Sequence, residues 1–308
     1  MKIVFLDTAT LGDGIDYSAF EKLGDVTYHA TTPPEEVASR LADADVAVLN
    51  KVRLNESNLK DLEKLRLICI CATGKDNIDL DYCEKRGIAV RNVAGYSTDS
   101  VAALTVATVL QLMLHLDDYT RFVRDGSYSA GNVANRLSPS YHDLSGKTWG
   151  IVGYGNIGRR IGEVAKAFGC RLIVNKRTPV SDAECVDIDT LCNESDIITL
   201  NCPLTSETRC LINESRIASM KKDVVIVNAA RGGVWDEEAI ANAVKNGSIG
   251  AVGCDVYTSE PFRADHPFFA LSENPNVCFT PHMAWGSVEA RKILMEKVAD
   301  NIKTFFGC

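Results

Sequence analysis

The sequence lacks the features of several large classes of protein. It contains no run of five or more basic residues and its net charge is −8, so neither a nucleic acid nor an anionic membrane surface is expected as a partner. No apolar stretch approaches the length of a membrane span, and the apolar run near the N-terminus is too short for the core of a signal peptide. We therefore expect a cytoplasmic protein.

Metal-binding patterns are also absent. The 11 cysteines and 5 histidines form no CxxC, HxxxH or HExxH pattern, so no metal site is expected. The cysteine count is odd and no secretion signal is present, which argues against a disulfide framework. Cysteines such as Cys69, Cys71 and Cys254 lie in apolar runs, where a free thiol packs as a small hydrophobic group.

What the sequence does contain is a regular alternation of strand and helix patterns. A first series predicts strands at KIVFLD, DVTYHA, VAVLN, LRLICICA and IAVRN, with helices capped near Thr32 and at Asn55. A second series begins at Gly146 and predicts strands at TWGIVGYG, RLIVNK, DIITLN, DVVIVNAA, IGAVGCDV and VCFTP. Such alternation predicts an α/β fold whose parallel sheets are covered by helices on both faces. A chain of 308 residues predicts two domains.

Two long helices are predicted outside this alternation. The stretch from Ser97 to about Arg124 is apolar nearly all round in its middle, which predicts one continuous buried helix that connects the domains. The stretch SVEARKILMEKVADNIKTFF predicts a last helix. We expect this helix to fold back onto the first domain, because its apolar face otherwise has no partner.

A glycine motif follows the strand TWGIV and opens a helix. The motif reads Gly153-Tyr154-Gly155-Asn156-Ile157-Gly158. Its first glycine allows a tight turn, its second lets the backbone approach a pyrophosphate, and its third lets helix and strand pack closely. The helix N-terminus offers free N–H groups and a partial positive charge to the phosphates. The motif predicts a dinucleotide site, with an ordinary glycine-rich turn as the alternative.

The next strand ends with residues that bear on the choice of cofactor. In NAD sites an acidic residue roughly 20 positions past the motif bonds the ribose 2′-hydroxyl, but here the strand ends in Asn175, Lys176 and Arg177. Two cations at this point can pair with the 2′-phosphate of NADP. NADP(H) is therefore the favoured cofactor, and an NAD(H) enzyme with two solvated surface cations is the alternative.

The few histidines narrow the search for a proton donor. Ligands of open α/β sheets bind at the carboxyl ends of strands, and His282 follows the apolar strand VCFTP at that end. His29 falls in a predicted strand, His115 in the middle of a predicted helix, and His142 and His266 in polar loops. By elimination, His282 is the best candidate for an acid and base.

Other charged residues follow neighbouring strands. Reduction of a 2-oxo acid needs a cation that holds the carboxylate and polarises the ketone, and a carboxylate that orients the proton donor. Arg231 follows VVIVNAA and Glu260 follows GCDVYTS, so we expect the first as the cation and the second as the partner of His282. Asp255, at the end of the same strand as Glu260, could bond the nicotinamide carboxamide.

These motifs resemble those of the D-isomer-specific 2-hydroxyacid dehydrogenases. The resemblance covers nearly the whole chain and rests on GYGNIG, NCPLTSET, NAARGG, GCDVYTSEP and TPHMAW, in that order and at familiar spacing. It implies a catalytic triad of Arg231, Glu260 and His282 and a nicotinamide contact at Asp255. It implies further cofactor contacts at Thr105, Cys202, Pro203, Ala229 and Ala230. It implies substrate contacts at Asn50, Lys51, Trp285 and Arg231, and at the backbone amides of Thr73 and Gly74, which would bind the carboxylate.

Within this family, the stretches LNK at 49–51, ATGKDNID, AGYSTDSVA and PHMAW are most similar to glycerate dehydrogenases, also called hydroxypyruvate or glyoxylate reductases. The resemblance implies hydride transfer between NADP(H) or NAD(H) and a small D-2-hydroxy or 2-oxo acid, such as hydroxypyruvate or glyoxylate. It implies two Rossmann-like, doubly wound parallel-sheet domains. These are a flavodoxin-like substrate domain at 1–98 and 284–308, and a dinucleotide-binding domain at 99–283. It also implies a homodimer.

The sequence departs from the family's pattern at two positions, and two rival functions stay open. Lys176 stands where the family usually has an aspartate, which puts NAD use in doubt, and Asn201 stands where a histidine is often found. One rival is a catalytically weak, cofactor-sensing regulator of the co-repressor type, which shares the fold. The other is a dehydrogenase of phosphite or formate. Formate oxidation needs no histidine–glutamate pair, so Glu260 and His282 argue against it.

Overall fold

A computed structural model describes residues 1–308. The chain divides into two compact units, the first made of Met1–Ser97 with Gly286–Cys308 and the second made of Thr98–Trp285. Each unit contains one parallel sheet. The strands are β1 Lys2–Phe5, β2 Asp25–Tyr28, β3 Val46–Leu49, β4 Leu67–Ile70, β5 Ala89–Arg91, β6 Thr148–Val152, β7 Arg171–Asn175, β8 Glu184–Cys185, β9 Ile197–Leu200, β10 Val225–Asn228, β11 Ala251–Cys254 and β12 Val277–Phe279.

Helices precede or follow most of these strands, and the last one returns to the first unit, where it packs against β4. The helices are α1 Ser18–Glu21, α2 Val37–Leu41, α3 Glu56–Leu59, α4 Leu80–Arg86, α5 Thr98–Met113, α6 Leu116–Arg124, α7 Ser127–Ala130, α8 Asn156–Ala167, α9 Ile188–Glu194, α10 Glu214–Ser219, α11 Glu237–Lys245 and α12 Val288–Phe306.

The strand orders identify both folds. The first sheet has the order β2-β1-β3-β4-β5, which is flavodoxin-like, and the second has the order β12-β11-β10-β9-β6-β7-β8, a Rossmann order with one further strand. Every residue of β3, β4, β6, β9, β10 and β11 is buried, as expected for parallel strands covered on both faces. The predicted α/β class with two doubly wound parallel sheets is confirmed.

The long helix predicted from Ser97 to Arg124 is wrong as one continuous element. Helices α5 and α6 are separate and bent by 68°, and His115 between them has a left-handed backbone with φ 50°. Histidine is among the residues enriched in that conformation. Asp117 and Asp118 in the first turn of α6 stabilise a helix N-terminus, which is the signal that the apolar pattern concealed. No single helix is long and apolar enough to cross a membrane, and only the bent pair α5 and α6 reaches that length and composition.

Two smaller expectations concern helix caps. Asn55 caps α3 as predicted, with its side chain accepting a hydrogen bond from Ser57 N at 3.0 Å. Thr32 caps no helix, because its hydroxyl donates to the Leu6 carbonyl and the next helical turn begins at Pro34 with no side-chain cap. The two-residue strand β8 was not predicted, since Glu184–Cys185 is too short to form a sequence pattern.

All eleven cysteines are free thiols, and most of them are buried in the apolar interior. Burial raises the pKa of the Cys202 thiol to about 11, that of Cys192 to about 11 and that of Cys69 to about 12. The thiolate is the reactive form, so these three groups are protonated and inert near neutral pH. Cys210 and Cys308 are exposed.

We therefore predict selective alkylation of the native protein. At about pH 8, iodoacetamide should label Cys210 and Cys308, while Cys202, with about a thousandth of its thiol ionised and little access, should react only after unfolding. Peptide mass spectrometry before and after addition of urea measures both sets. Rapid labelling of Cys202 in the folded protein would contradict this account of its burial.

Candidate active site

The glycine motif lies between β6 and α8, where the strand order of the second sheet reverses. Gly153 has φ +88°, and a Cβ there would lie 2.6 Å from the Cys202 backbone nitrogen. A Cβ on Gly158 would lie 2.3 Å from the Gly153 carbonyl oxygen. Gly155 is different, because it is exposed and a Cβ there would meet no atom within 4 Å. The space in front of Gly155 is therefore open to the phosphate groups of a dinucleotide.

The N-terminus of α8 fits the same group. Gly155 is the N-cap, no side chain caps the helix, and its first turn contains no acidic residue. The exposed Asn156 and its neighbour Ile157 thus present backbone N–H groups that no side chain satisfies, at the positive end of the helix dipole. Tyr154 is only 3% exposed, and its ring packs under the Arg159 guanidinium at 4.8 Å.

The candidate determinants of cofactor choice follow β7. The Asn175 side-chain amide donates to the Val186 carbonyl at 3.0 Å. This bond ties the end of β7 to the residue that follows β8. Lys176 is partly buried and Arg177 is exposed. Neither forms an ion pair with a protein carboxylate, so both charges are available to an anion.

The predicted histidine and glutamate are in contact. His282 follows β12 and Glu260 follows β11, the two adjacent strands at one edge of the sheet, and His282 Nδ1 lies 2.6 Å from Glu260 Oε2. Because the ionised carboxylate only accepts, we assign the proton to Nδ1. The side chains are 22% and 26% exposed. Because Nδ1 is engaged by Glu260, Nε2 is the nitrogen that is left to exchange a proton.

Asp255 holds the turn that carries His282. Its carboxylate is 3% exposed and accepts hydrogen bonds from the Thr280 hydroxyl at 2.6 Å, Met283 N at 2.9 Å and Ala284 N at 3.0 Å. His282 has φ 51°, a left-handed conformation that persists only where neighbouring contacts enforce it. Those three bonds leave room for one more donor on the carboxylate, so the predicted nicotinamide contact of Asp255 stays a prediction.

Arg231 lies at the carboxyl end of β10, next to β11. Fully buried Asn228 shapes its turn, since the Asn228 side chain accepts from Ala230 N at 3.0 Å and donates to the Arg231 carbonyl at 2.9 Å. The Arg231 guanidinium donates to the Ala230 carbonyl at 2.8 Å. Arg231, Glu260 and His282 therefore stand on the ends of three adjacent strands, as the sequence predicts for a shared site.

Gly232 brings two of these strand ends into direct contact. A Cβ on Gly232 would lie 2.1 Å from the Tyr257 carbonyl carbon and 2.2 Å from Thr258 N, so the backbone beside Arg231 touches the segment that leads to Glu260. Burial, together with neighbouring Cys254 and Asp255, raises the pKa of Tyr257 far above its usual value. Its hydroxyl stays protonated, and its single proton is shared between the Cys254 carbonyl at 3.2 Å, at the end of β11, and the Thr280 carbonyl at 3.0 Å, just after β12.

The remaining predicted cofactor residues occupy varied positions. Ala229 and Ala230 are partly buried in the turn after β10, and Pro203 is exposed after β9, next to Cys202. Thr105 on α5 is 1% exposed, and its hydroxyl donates to the Val101 carbonyl at 2.8 Å, so its hydroxyl is already engaged. The cofactor contacts of these five residues stay predictions.

Trp285, predicted to shape the substrate site, is fixed beside the catalytic turn. Its indole N–H donates to the His282 carbonyl at 3.0 Å, and its side chain is partly buried. The bond places the ring next to His282 in the same loop. Its contact with substrate stays a prediction.

The other predicted substrate residues belong to the first unit, where they follow the adjacent strands β3 and β4. Buried Asp7 accepts hydrogen bonds from Asn50 N at 2.9 Å, Lys51 N at 2.6 Å and Val52 N at 3.0 Å. The Asn50 side chain donates to Thr10 Oγ1 at 3.1 Å. Asp7 was not singled out from the sequence, although an acidic residue directly after the apolar strand β1 indicates an acceptor at the carboxyl end of the sheet.

The Thr73 and Gly74 loop has the features of an anion-binding segment. The Thr73 hydroxyl donates to the Val93 carbonyl at 3.0 Å, and the Asn92 side chain donates to the Thr73 carbonyl at 2.6 Å. The backbone N–H groups of Thr73 and Gly74 donate to no protein acceptor. These amides are thus available to a carboxylate, as the resemblance implies.

A second histidine–carboxylate pair was not anticipated from the sequence. His266, expected in a polar loop, has a side chain that is only 7% exposed, and its Nε2 lies 3.0 Å from Oε2 of Glu237, whose side chain is 8% exposed. Glu237 reads in the sequence as an ordinary acidic residue in the first turn of α11. Only the fold brings these two distant residues together.

Comparison with known proteins agrees with this geometry. Residues 106–284 match the model of the family described as D-isomer specific 2-hydroxyacid dehydrogenase, NAD binding domain. A glycerate dehydrogenase of Methylorubrum extorquens is 34% identical over 99% of this chain and 96% of its own length.

Solved structures of similar enzymes cover nearly the whole chain. D-lactate dehydrogenase of Aquifex aeolicus, with NAD and lactic acid, has TM-score 0.86 at 28% identity and covers 99% of this chain and 95% of its own. An NADPH-dependent glyoxylate/hydroxypyruvate reductase of Sinorhizobium meliloti, with NADP and malonate, has TM-score 0.85 at 26% identity and covers 99% and 93%.

A Rossmann sheet with an acid–base pair on the strands beyond its switch point is the arrangement of an NAD(P)-dependent dehydrogenase. The family match and the full-length similarity make the class specific: the chain belongs to the D-isomer-specific 2-hydroxyacid dehydrogenases. It is an enzyme that uses NAD(P), and the regulator gains no support from these relatives.

The glycine geometry predicts opposite effects for two alanine substitutions. Gly155→Ala adds a methyl group to open space, so it should leave thermal stability unchanged but weaken NADPH binding by about tenfold, or about 1.4 kcal/mol. Gly158→Ala places its Cβ against the Gly153 carbonyl and should destabilise the fold by about 1–3 kcal/mol. Thermal unfolding and fluorescence titration with NADPH separate the two. Tight cofactor binding by the Gly155 variant would exclude this cradle.

Proposed function

We propose that the protein reduces a small 2-oxo acid, hydroxypyruvate or glyoxylate, to the D-2-hydroxy acid, and that it prefers NADPH to NADH. The observation that carries the proposal is the 2.6 Å contact of His282 Nδ1 with Glu260 Oε2, on strand ends adjacent to Arg231. The glycerate dehydrogenase and the glyoxylate/hydroxypyruvate reductase among the similar proteins support this choice of substrate.

In this proposal the protein supplies charge and a proton. When bound, a reduced nicotinamide cofactor would supply a hydride to the carbon of the 2-oxo group, and the amides at Asn156 and Ile157 would hold its phosphates. Arg231 binds the substrate carboxylate and polarises the 2-oxo group. His282, protonated on both nitrogens and paired with Glu260, gives the Nε2 proton to the forming alkoxide. In the reverse direction neutral His282 accepts that proton.

The proposed preference for NADPH rests on the charges after β7. Lys176 and Arg177 meet no protein carboxylate, and no acidic residue stands at this strand end to bond a ribose hydroxyl or repel a phosphate. A charge-assisted bond to the 2′-phosphate contributes about 1.5–3 kcal/mol. The unpaired amides of Thr73 and Gly74 support a further role in binding an anionic substrate group.

The first prediction from this proposal concerns the cofactor. With hydroxypyruvate, kcat/KM should be higher with NADPH than with NADH, and Lys176→Asp should lower the NADPH value by about 10- to 100-fold while sparing NADH. Absorbance of the reduced nicotinamide reports both rates. Lys222→Asp, at an exposed lysine far along the chain, is the matched control. Equal or faster turnover with NADH would exclude the proposed 2′-phosphate site at Lys176 and Arg177 but would leave the proposed reaction unchanged.

A second prediction separates the roles of the catalytic residues. His282→Ala should lower kcat by about 10²–10⁴-fold with little change in KM, because a general acid acts in the transition state. Arg231→Ala should raise KM and lower kcat together, because the cation acts on both bound substrate and transition state. His142→Ala, at an exposed loop histidine, should match the wild type. An unchanged kcat in the His282 variant would overturn its assignment.

We also propose a homodimer formed through the segment 116–141. Of the thirteen large apolar side chains that are exposed, six lie in this short segment, and such a concentration marks an interaction surface. These six are Leu116, Val123, Tyr128, Val133, Leu137 and Tyr141.

The free thiols of the chain are compatible with a reducing compartment, and we propose that the enzyme works in the cytoplasm.

The dimer is tested by placing a charge on that surface. Leu137 is 76% exposed, so Leu137→Glu should leave the monomer folded but convert a dimer to monomers in light scattering coupled to gel filtration. Val288 is 69% exposed on α12, and Val288→Glu serves as control. A wild-type protein that is already monomeric at assay concentration would end this proposal.

A further inference from the structure

The second histidine–glutamate pair contacts the same backbone segment, 257–260, that carries Glu260 of the first pair. Glu237, at the start of α11, accepts hydrogen bonds from Thr258 N at 2.9 Å and His266 Nε2 at 3.0 Å, and from the Thr258 hydroxyl. Three donors thus converge on one buried carboxylate, and each of its two oxygens accepts at least one hydrogen bond.

The protonation of His266 follows from its two partners. Its Nδ1 accepts a hydrogen bond from Phe268 N at 3.2 Å, and a backbone N–H can only donate, so Nδ1 carries no proton. Nε2 must then carry the proton and donate it to Glu237. The ring lies among Phe262 at 4.8 Å, Phe268 at 5.2 Å and Tyr257 at 6.0 Å. His266 is thus a neutral, fixed donor and is unsuited to exchanging protons with solvent.

One short backbone segment connects the two pairs. Thr258 is bonded to Glu237, and the preceding residue donates from Tyr257 N to Glu260 Oε1 at 3.0 Å. The other oxygen of Glu260 meets His282. Hydrogen bonds therefore link His266 to Glu237 and Thr258, and Tyr257 to Glu260 and His282, and the covalent backbone between residues 257 and 258 joins the two sets.

We propose that Glu237 and His266 are positioning residues, which fix the 257–260 segment so that the Glu260 carboxylate meets His282. The proposal rests on the proposed roles of Glu260 and His282 in proton transfer. Segment 257–260 is largely exposed beyond Tyr257, so solvent would otherwise compete for its groups. Two sets of contacts clamp the segment instead. The hydrogen bonds of Thr258 to buried Glu237 hold it on one side, and the close approach of Gly232 holds it on the other.

The test is a double-mutant cycle. Glu237→Gln offers one acceptor oxygen in place of two and faces a fixed N–H donor on His266, so it should release Thr258. We expect kcat with hydroxypyruvate to fall by about 10- to 100-fold, the range of a misplaced catalytic group, with the KM for NADPH unchanged. Glu238→Gln is the matched control, because the neighbouring Glu238 is exposed on the same helix turn. It should retain the wild-type kcat.

The background variant Glu260→Gln distinguishes positioning from general structure. If Glu237 acts through Glu260, adding Glu237→Gln to Glu260→Gln should change kcat by less than about twofold. An equal loss in both backgrounds would overturn the proposal, since the effect would then bypass Glu260. A Glu260→Gln enzyme with wild-type kcat would instead overturn the proposed function, and this inference with it.

A milder pair of variants covers the case in which Glu237→Gln fails to fold. Thr258→Val removes the hydroxyl donor and keeps the shape, so kcat should fall, while Thr258→Ser keeps the donor and should restore the wild-type rate. Far-UV circular dichroism and thermal unfolding check that each variant is folded. Wild-type kcat in both the Thr258→Val and the Glu237→Gln enzymes would show that the segment needs no clamp.

Discussion

Buried carboxylates that accept backbone N–H groups hold the loops on which the candidate site depends. A loop that leaves the carboxyl end of a parallel strand carries amides with no partner in the sheet, and such groups need an acceptor. Asp7, Glu237 and Asp255 supply acceptors to the loops that follow β3, β11 and β12 respectively. Bonds to an ionised acceptor are roughly twice as strong as neutral ones, so partly exposed loops keep a defined shape.

The backbone of His282 shows why such support matters. A left-handed conformation at a residue other than glycine costs of order 1–3 kcal/mol, and the turn at φ 51° keeps that conformation because Asp255 binds the two following amides. The same turn directs the imidazole towards Glu260. One buried side chain therefore holds both the position of His282 and its strained backbone.

Local patterns in the sequence predicted most of the fold and the central pair. Strand and helix periods predicted the parallel sheets, and the position of His282 after an apolar strand made it the candidate proton donor, a role that stays a prediction. The His266–Glu237 pair could not be predicted in this way, because both residues have ordinary local settings and only tertiary packing makes them neighbours. The break at His115 was missed because a continuous apolar pattern does not reveal one left-handed residue.

The placement of Lys176 and Arg177 after β7 separates the proposed coenzyme preference from the stability of the fold. Both residues follow β7, outside the apolar core, and neither forms an ion pair with the rest of the chain. Surface substitutions of this kind change folding stability by about 0.5 kcal/mol or less. The preference for NADPH that we propose therefore rests on side chains that folding does not require. A single substitution at either position would then alter the proposed preference while the fold stays intact.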